Sequence, residues 1–287
     1  MDTIRSVADY ISHLKVLRSN ESVERFAVRQ TFFRGQANKD WPLIPTLYRN
    51  GYFEKEAAMI KEILNELPDE FNLADRVDIL AKLQHYGFPT RLLDITANPL
   101  VALYFACFKE KEMDNDGAIY VFLDVEARWS DHPHVNMVME YIFQYTPHNV
   151  NLSEMLMRLK NRPDLHILHD EGDILDCLTM PVIAIIPRKI TNRLIAQEGA
   201  FFLFGMNAYP AANTHDNTYS FNTYSFTPLV IDDLDKLGFQ CQKLIIPARY
   251  KREILDQLDL LGINERILFA DLEHQLQYYM NKHRPSL

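Results

Sequence analysis

The segment at positions 83–108 constrains the fold most, because it combines a helix end, a tight turn, two opposite charges and a buried helix. Apolar residues recur at helical spacing before it, and Gly87 followed by Pro89 supplies the residue types that end a helix. We therefore predict that a helix ends at this point, with His85 and Tyr86 in its last turn.

A second helix is predicted directly after the turn. An Asn-Pro pair opens it, and the residues up to Phe108 are apolar on every face, which indicates a helix buried on all sides. Residues 90–94, between the two helices, read as a loop that carries Arg91 and Asp94. Because an unpaired buried charge costs several kcal/mol, these two charges must be paired or solvated.

Length and composition indicate one globular domain. The chain has 287 residues, of which 47% are hydrophobic and 24% charged, with no linker, repeat or membrane-length apolar run. Residues 1–18 read as an amphipathic helix without the apolar core of a signal peptide, which predicts a cytoplasmic protein. A net charge of −9 argues against wrapping duplex nucleic acid. Three distant cysteines are expected to be reduced core residues: Cys107, Cys177 and Cys241.

The remaining pattern predicts helices and strands that alternate unevenly. The helices are expected at 52–67, 72–86, 151–159, 250–261 and 266–280, and the strands at 28–33, 118–123, 182–186, 201–204, 226–231 and 243–246. Residues 124–177 otherwise read as loop-rich, and residues 209–226 as an aromatic-rich loop that is either a lid or a surface excursion. We therefore predict an α+β fold with a mixed or antiparallel sheet flanked by helices.

Three motifs are distinctive: FFRGQ at 32–36, HYGFPTRLLD at 85–94 and RLIAQEGAF at 193–201. Together they resemble the FRG domain, a family found among bacterial and phage-related proteins. The resemblance extends over about residues 25–285 and implies a single domain, 1–287, with the N-terminal helix packed on it. The family name specifies no reaction, so the chemistry must be argued from the residues.

Several common enzyme classes lack their motifs in this sequence. GxGxxG after a strand and GxxxxGK[ST] are both absent, which argues against a Rossmann dinucleotide site and a P-loop. HExxH and GxSxG are also absent, which argues against zinc proteases and serine hydrolases.

The first motif offers a candidate anion-binding group. Arg34 lies where a strand gives way to a loop, and Gly35 beside it would let a ligand approach the backbone, which suits a phosphate or diphosphate. The alternative is that Arg34 pairs with Asp94 or another carboxylate to tie strand to loop. His85 is a candidate acid, base or hydrogen-bond donor, although a histidine in the last turn of a helix also interacts favourably with the helix dipole.

The third motif places Gln197 and Glu198 before a late strand, where a carboxylate can stabilise an oxocarbenium-like centre. A strand-end arginine, an aromatic-rich helix and this Gln-Glu pair follow the order found in ADP-ribosyltransferases, which the chain resembles more loosely. That resemblance implies an ADP-ribosyltransferase-like sheet and an NAD substrate, with Arg91 in the site and Tyr86 or Tyr104 stacking on nicotinamide. A Ser-Thr-Ser and a Q/E-x-E triplet are missing, which leaves the catalytic carboxylate open.

A rival hypothesis is a metal site. Histidines and carboxylates recur at short spacing in the region 131–173, namely Asp131, His132, His134, His166, His169, Asp170, Glu171 and Asp173. Such a set could ligate a metal in a nuclease or phosphohydrolase. Polar loops also accumulate these residues without binding a metal, and a non-catalytic interaction module is a third possibility.

The sequence therefore predicts an NAD-dependent ADP-ribosyltransferase that needs no metal and does not associate with membranes. Its catalytic residues would be Glu198, Gln197 and His85, and NAD would contact Arg34, Gly35, Tyr86, Arg91 and Tyr104. The acceptor would be a macromolecule, protein or nucleic acid, in phage defence or a toxin system. The oligomeric state does not follow from the sequence.

Overall fold

The computed structural model describes residues 3–18, 29–49, 51–72, 75–212, 219–231, 234–269, 276 and 279–280. The helices are α1 (Val7–Arg18), α2 (Thr46–Arg49), α3 (Glu56–Glu66), α4 (Arg76–His85), α5 (Pro99–Cys107), α6 (Pro133–Gln144), α7 (Leu152–Leu159), α8 (Glu171–Thr179), α9 (Asn192–Ala196), α10 (Lys251–Leu260) and α11 (Glu265–Leu268). The strands are β1 (Arg29–Gln36), β2 (Leu92–Thr96), β3 (Gly117–Trp129), β4 (Val150–Asn151), β5 (Val182–Ile186), β6 (Gly199–Phe204), β7 (Met206–Ala212), β8 (Tyr219–Pro228) and β9 (Cys241–Ile246).

Six strands form the main sheet, in the order β1-β2-β6-β5-β3-β9. β1 also pairs with β3, so the sheet closes into a partial barrel with β9 on its outer edge. The β3–β5 pair is parallel and the other pairs are antiparallel, which confirms the predicted α+β fold with a mixed sheet. A separate three-stranded antiparallel sheet has the order β4-β8-β7.

The barrel separates three apolar clusters. Alternation along β6 shows the division, since Phe202 and Phe204 pack inside the barrel while Phe201 and Leu203 pack against helices outside it. One outer layer is built from α3, α4, α6, α7 and α8, and the other from α1, α5, α10 and α11. Burying each of these large side chains contributes about 1.5–3 kcal/mol, so the apolar alternation of the strands fixes their register.

The central helix α5 forms as the sequence predicts. Asn98 is its N-cap and accepts a hydrogen bond from the backbone N–H of Leu100 at 3.0 Å, and Pro99 occupies the first turn. The helix packs directly on β1, because a Cβ atom added to Gly35 would lie 1.9 Å from the carbonyl oxygen of Ala102. Gly87, with φ +84°, ends α4 in the left-handed conformation that the turn requires.

Residues 90–94, predicted to be a loop, instead lead into strand β2. Leu92 packs outside the barrel while Leu93 and Ile95 pack inside it, so alternation and sheet pairing outweigh the flanking charges. The short length of this strand hid its period-two pattern, since five residues carry little periodic signal.

The predicted loop character of residues 124–177 was also wrong, because this region contains α6 and α8. Their starts are capped by polar side chains of the kind that made the segment look irregular: His132 for α6 and Asp170 for α8. Residues 209–226 belong largely to β7 and β8 rather than to a loop. The strand predicted at 226–231 ends at Pro228.

The terminal helices are partly confirmed. The N-terminal helix is present as α1 and buries Val7, Tyr10 and Leu14. At the other end, α11 ends at Leu268, and most of the predicted continuation to residue 280 lies outside the described residues. Of the helices that the structure describes, none is long and apolar enough to cross a membrane.

Candidate active site

Strand pairing brings the three sequence motifs together at one end of β2. This strand lies between β1 and β6, and its Thr96 pairs with Phe33 on one side and Gly199 on the other. The register therefore places Arg34 and Gln197, which are far apart in sequence, beside the same strand end. Residues of all three motifs, which the sequence assigns to one NAD site, therefore lie close together in the structure.

Two small cavities share this position. One, of about 150 Å³, is lined by Arg34, Gly35 and the apolar residues Phe33, Ile95, Val101 and Phe105. The other, of about 80 Å³, is lined by Gln84, His85, Thr191, Leu194 and Phe201, among others. Asp94, Arg193 and Gln197 line both cavities, so the two form one cleft with a polar centre.

Arg34 is anchored through the backbone of β2. Its Nη1 donates to the main-chain oxygen of Asp94 at 2.5 Å, and its Nε is buried without a partner among the described residues. Burial lowers the pKa of Arg34, and the negative charge of Asp94 opposes that shift. The guanidinium therefore ties β1 to β2 through a backbone carbonyl rather than through the carboxylate that the structural alternative expected, and Arg34 also lines the cleft.

Asp94 is exposed at the centre of the cleft, and its carboxylate is oriented by neighbouring side chains. The amide of Gln84 donates to Oδ1 of Asp94 at 2.8 Å, and the hydroxyl of Thr90 donates to the amide oxygen of Gln84. This chain of hydrogen bonds links the end of α4 to β2.

Gln197 and Glu198 form the opposite edge. The hydroxyl of Thr96 donates to the main-chain oxygen of Gln197 at 2.6 Å, and the Gln197 amide donates to the main-chain oxygen of Leu268 at 3.0 Å. Glu198 is exposed and lies beside Gln197, just outside the residues that line the two cavities. Its carboxylate accepts from the side-chain amide of Asn98 at 2.9 Å.

The backbone of Glu198 is strained. Its φ is +45°, in the left-handed region that side chains with a Cβ atom rarely adopt. A hydrogen bond from the N–H of Ala97 to the carbonyl of Glu198, at 3.1 Å, holds this turn against the end of β2.

Arg193 and Asp94 are cleft residues that the sequence analysis did not assign to the site. Arg193 begins the third motif and lies with its guanidinium carbon 5.0 Å from the ring centroid of Phe269, an arrangement that fixes a cation over an aromatic face. Asp94 ends the second motif. Their positions in the motifs were the signal that could have assigned them to the site. A charged side chain within a motif can equally be structural, as Arg91 is.

The second motif begins with His85 and Tyr86. His85 lines the smaller cavity of the cleft. Its neighbour Tyr86 is 74% exposed and lines a separate apolar groove with Leu67, Phe71 and Phe88. The rings of His85 and Tyr86 meet edge to face with their centroids 5.1 Å apart. The structure therefore does not place Tyr86 in the cleft.

Two further predicted ligand residues are in the apolar core. Arg91 is 1% exposed, and its Nε lies 3.0 and 3.1 Å from the two carboxylate oxygens of Glu56, so it forms a buried ion pair. Tyr104 is buried and stacks on Phe108 with ring centroids 5.1 Å apart. Neither is accessible to a ligand in the cleft. Gly35 lines the larger cavity, but its missing side chain accommodates α5 rather than a ligand.

Three side chains of the rival metal hypothesis, those of His132, Asp170 and Asp173, cap helices. Asp170 and Asp173 form a reciprocal capping box at the start of α8, and Oδ2 of Asp173 also accepts from the N–H of His169 at 2.6 Å. His132 accepts from the N–H of His134 at the start of α6. Among the described residues, no group of three or more His, Cys, Asp or Glu side chains is arranged to hold a metal ion.

The three cysteines are free thiols, buried at Cys107 and Cys177 and partly buried at Cys241. Burial raises the pKa of Cys177 to about 11 and that of each of the other two to about 12. These thiols are therefore protonated at neutral pH, as expected of core residues rather than nucleophiles.

Comparison with known proteins identifies one family. No curated protein and no solved structure matches the chain significantly. The model of the FRG domain matches residues 29–115, a range that contains the first two motifs, β1, β2 and α5. The third motif lies beyond the matched range but completes the same cleft. The resemblance to the FRG domain is therefore confirmed over residues 29–115.

Proposed function

We propose that the cleft binds NAD and that the protein transfers the ADP-ribosyl group of NAD to a macromolecular acceptor. The observation that carries this proposal is the meeting, across β2, of a strand-end arginine with a Gln-Glu pair that precedes a late strand. Arginine suits the diphosphate and a carboxylate suits the ribosyl cation that forms as nicotinamide leaves.

The dimensions of the cleft bear on how NAD would bind. Small-molecule sites commonly enclose about 300–1,000 Å³, whereas the two cavities measure about 150 and 80 Å³. Each cavity therefore suits one part of the dinucleotide, and the rest would lie along the cleft surface. The larger cavity has apolar walls from Val101 and Phe105, which suit the flat nicotinamide ring.

Residue roles follow from position. Arg34 and Arg193 line the cleft and would neutralise the diphosphate, while Gln197, which lines the same cleft, would contact the ribose. Glu198, held by Asn98, would stabilise positive charge on the ribosyl carbon as its bond to nicotinamide breaks with the electron pair leaving on the nitrogen. The strained backbone at Glu198 supports this role, since strain of this kind concentrates at functional sites.

Glu198→Gln tests the proposal. The variant keeps the side-chain shape and the acceptor atom for Asn98 but removes the negative charge, so NAD consumption should fall by about 10²- to 10³-fold. Because Glu198 is exposed, the melting temperature should change little. NAD consumption is measured with a crude lysate as the acceptor source, alongside thermal unfolding.

Two controls separate this proposal from its alternatives. Glu62→Gln, an exposed glutamate on α3, makes the same chemical change away from the cleft and should leave the rate unchanged. Addition of EDTA should also leave it unchanged, because protein groups stabilise the ribosyl cation. Phosphodiester hydrolysis that metal restores would replace the proposal with the metal-dependent alternative. A wild-type protein that neither binds nor consumes NAD would favour the interaction module.

A further inference from the structure

Asp94 occupies the part of the cleft that both cavities share, together with Arg193 and Gln197. It is the exposed residue in a strand whose other four residues are buried. Its position is set from two sides, because β2 pairs with β6 opposite Phe201 and Arg34 donates to its main-chain oxygen. The carboxylate therefore stands at a fixed place between the two cavities.

The orientation of the carboxylate is set by a second layer of hydrogen bonds. Thr90 is 2% exposed, and its hydroxyl oxygen accepts from the N–H of Leu92 at 3.2 Å while its proton goes to the amide oxygen of Gln84. With its oxygen engaged by Thr90, the Gln84 amide must present its NH₂ group, and Nε2 donates to Oδ1 of Asp94 at 2.8 Å. This leaves Oδ2 as the oxygen that can take a proton.

The two carboxylates of the site differ in placement. Glu198 is held by Asn98 beside the cavities, whereas Asp94 lines both of them. Transfer of an ADP-ribosyl group has two requirements, a negative charge near the ribosyl cation and a base for the acceptor's proton. One carboxylate at the edge and another at the centre can meet these requirements separately.

We infer that Asp94 is the general base of the reaction and that Gln84 and Thr90 are positioning residues that aim it. This inference rests on the proposed function. As the glycosidic C–N bond breaks, its electron pair leaves with nicotinamide; the acceptor's nucleophilic oxygen or nitrogen forms the new bond to the ribosyl carbon. The proton of that nucleophile passes to Oδ2 of Asp94 and then to water.

The experiment measures NAD affinity and turnover separately. Asp94→Asn should lower the rate at saturating NAD by about 10²- to 10⁴-fold, with the dissociation constant of NAD changed less than about threefold. Asp69→Asn, an exposed change in the turn after α3, serves as the matched control.

The positioning residues are tested in the same assay. Gln84→Met keeps the length of the side chain but removes the bond to Asp94, so the rate at saturating NAD should fall at least about tenfold, with NAD affinity retained. Thr90→Val should lower the rate in the same way, and Thr90→Ser, which keeps the hydroxyl, should restore it. Gln84 is only half-buried, so its variant folds even where a change at Thr90 costs stability.

The outcomes distinguish the two levels of the proposal. If the wild type neither binds nor consumes NAD, the proposed function fails and the role of Asp94 fails with it. If the wild type is active and Asp94→Asn keeps its rate within about threefold, the base is another group and only this inference fails. Loss of NAD affinity with an unchanged maximal rate would likewise make Asp94 a binding residue and overturn its role as base.

Discussion

Replacement of Glu56 by glutamine should strongly destabilise the fold. Arg91 and Glu56 are 1% and 4% exposed, and the guanidinium contacts both carboxylate oxygens. Burial disfavours the charge on Arg91, but Glu56 more than offsets it, so the pKa of Arg91 is raised. The rings of Phe53 and Tyr141, with centroids 5.6 and 5.8 Å from the guanidinium carbon, complete an environment closed to water.

The expected loss follows from leaving this cation uncompensated. Removing one partner of a buried ion pair costs about 3–5 kcal/mol. For a chain of this length, that loss lowers the melting temperature by about 5 to 8 °C. Replacing both partners, as in Arg91→Met with Glu56→Leu, removes the buried charge altogether and should recover most of the stability. Urea unfolding of Arg91→Met, Glu56→Leu and the variant that carries both changes measures the coupling.

A surface pair provides the control. Lys82 and Glu70 are 3.0 Å apart, but the Glu70 side chain is 65% exposed, so Glu70→Gln should cost no more than about 1 kcal/mol. NAD binding by the Arg91 and Glu56 variants is measured at a temperature well below their melting points. If Glu56→Gln unfolds like the wild type while Arg91→Met loses NAD binding, Arg91 is a ligand group and its assignment to the core is wrong.

Two further variants test packing and protonation. Gly35→Ala should lose more than about 2 kcal/mol in urea unfolding, because the added methyl group would lie 1.9 Å from the carbonyl oxygen of Ala102 and force α5 away from β1. Burial and the nearby charge of Arg128 lower the pKa of His134 from 6.5 to about 4, so the unfolded chain binds this proton more readily than the folded chain. Acidification from pH 7 to pH 4 should therefore remove on the order of 1 kcal/mol of stability, because solvent screens part of the effect at this partly exposed side chain. His134→Gln should reduce that loss. If the melting temperature of His134→Gln depends on pH as strongly as that of the wild type, the lowered pKa of His134 does not cause the loss of stability in acid.

The sequence predicted most of the regular elements and missed others for identifiable reasons. Residues 182–186 form a strand with the predicted bounds, because five apolar residues between turn signals leave little alternative. The strand β2 was missed because it is short and because its pairing partner β6 is more than 100 residues away in sequence. Such long-range pairing overrides local propensity and leaves no local trace.

The site was predicted less completely than the fold. Arg34 and Gln197 were both assigned to the NAD site from their motifs, and both line the cleft. The different surroundings of Arg91 and Asp94 were not predicted. Both residues carry a charge within the same motif, and only the fold shows that one pairs with Glu56 in the core while the other lines the cleft. The partner of a buried charge can lie anywhere in the chain, so sequence spacing does not reveal it.

The geometry of strands explains why each motif mixes core and cleft residues. Successive side chains of a strand point to opposite faces, so neighbours in sequence meet different surroundings. In the first motif, Phe33 packs under α5, Arg34 reaches Asp94, and Gly35 lets the helix approach. A substitution at one position can therefore displace the neighbouring residue of the same strand. Loss of activity alone does not identify a catalytic residue. This is why the variants of Glu198 and Asp94 must be read together with unfolding and NAD-binding measurements.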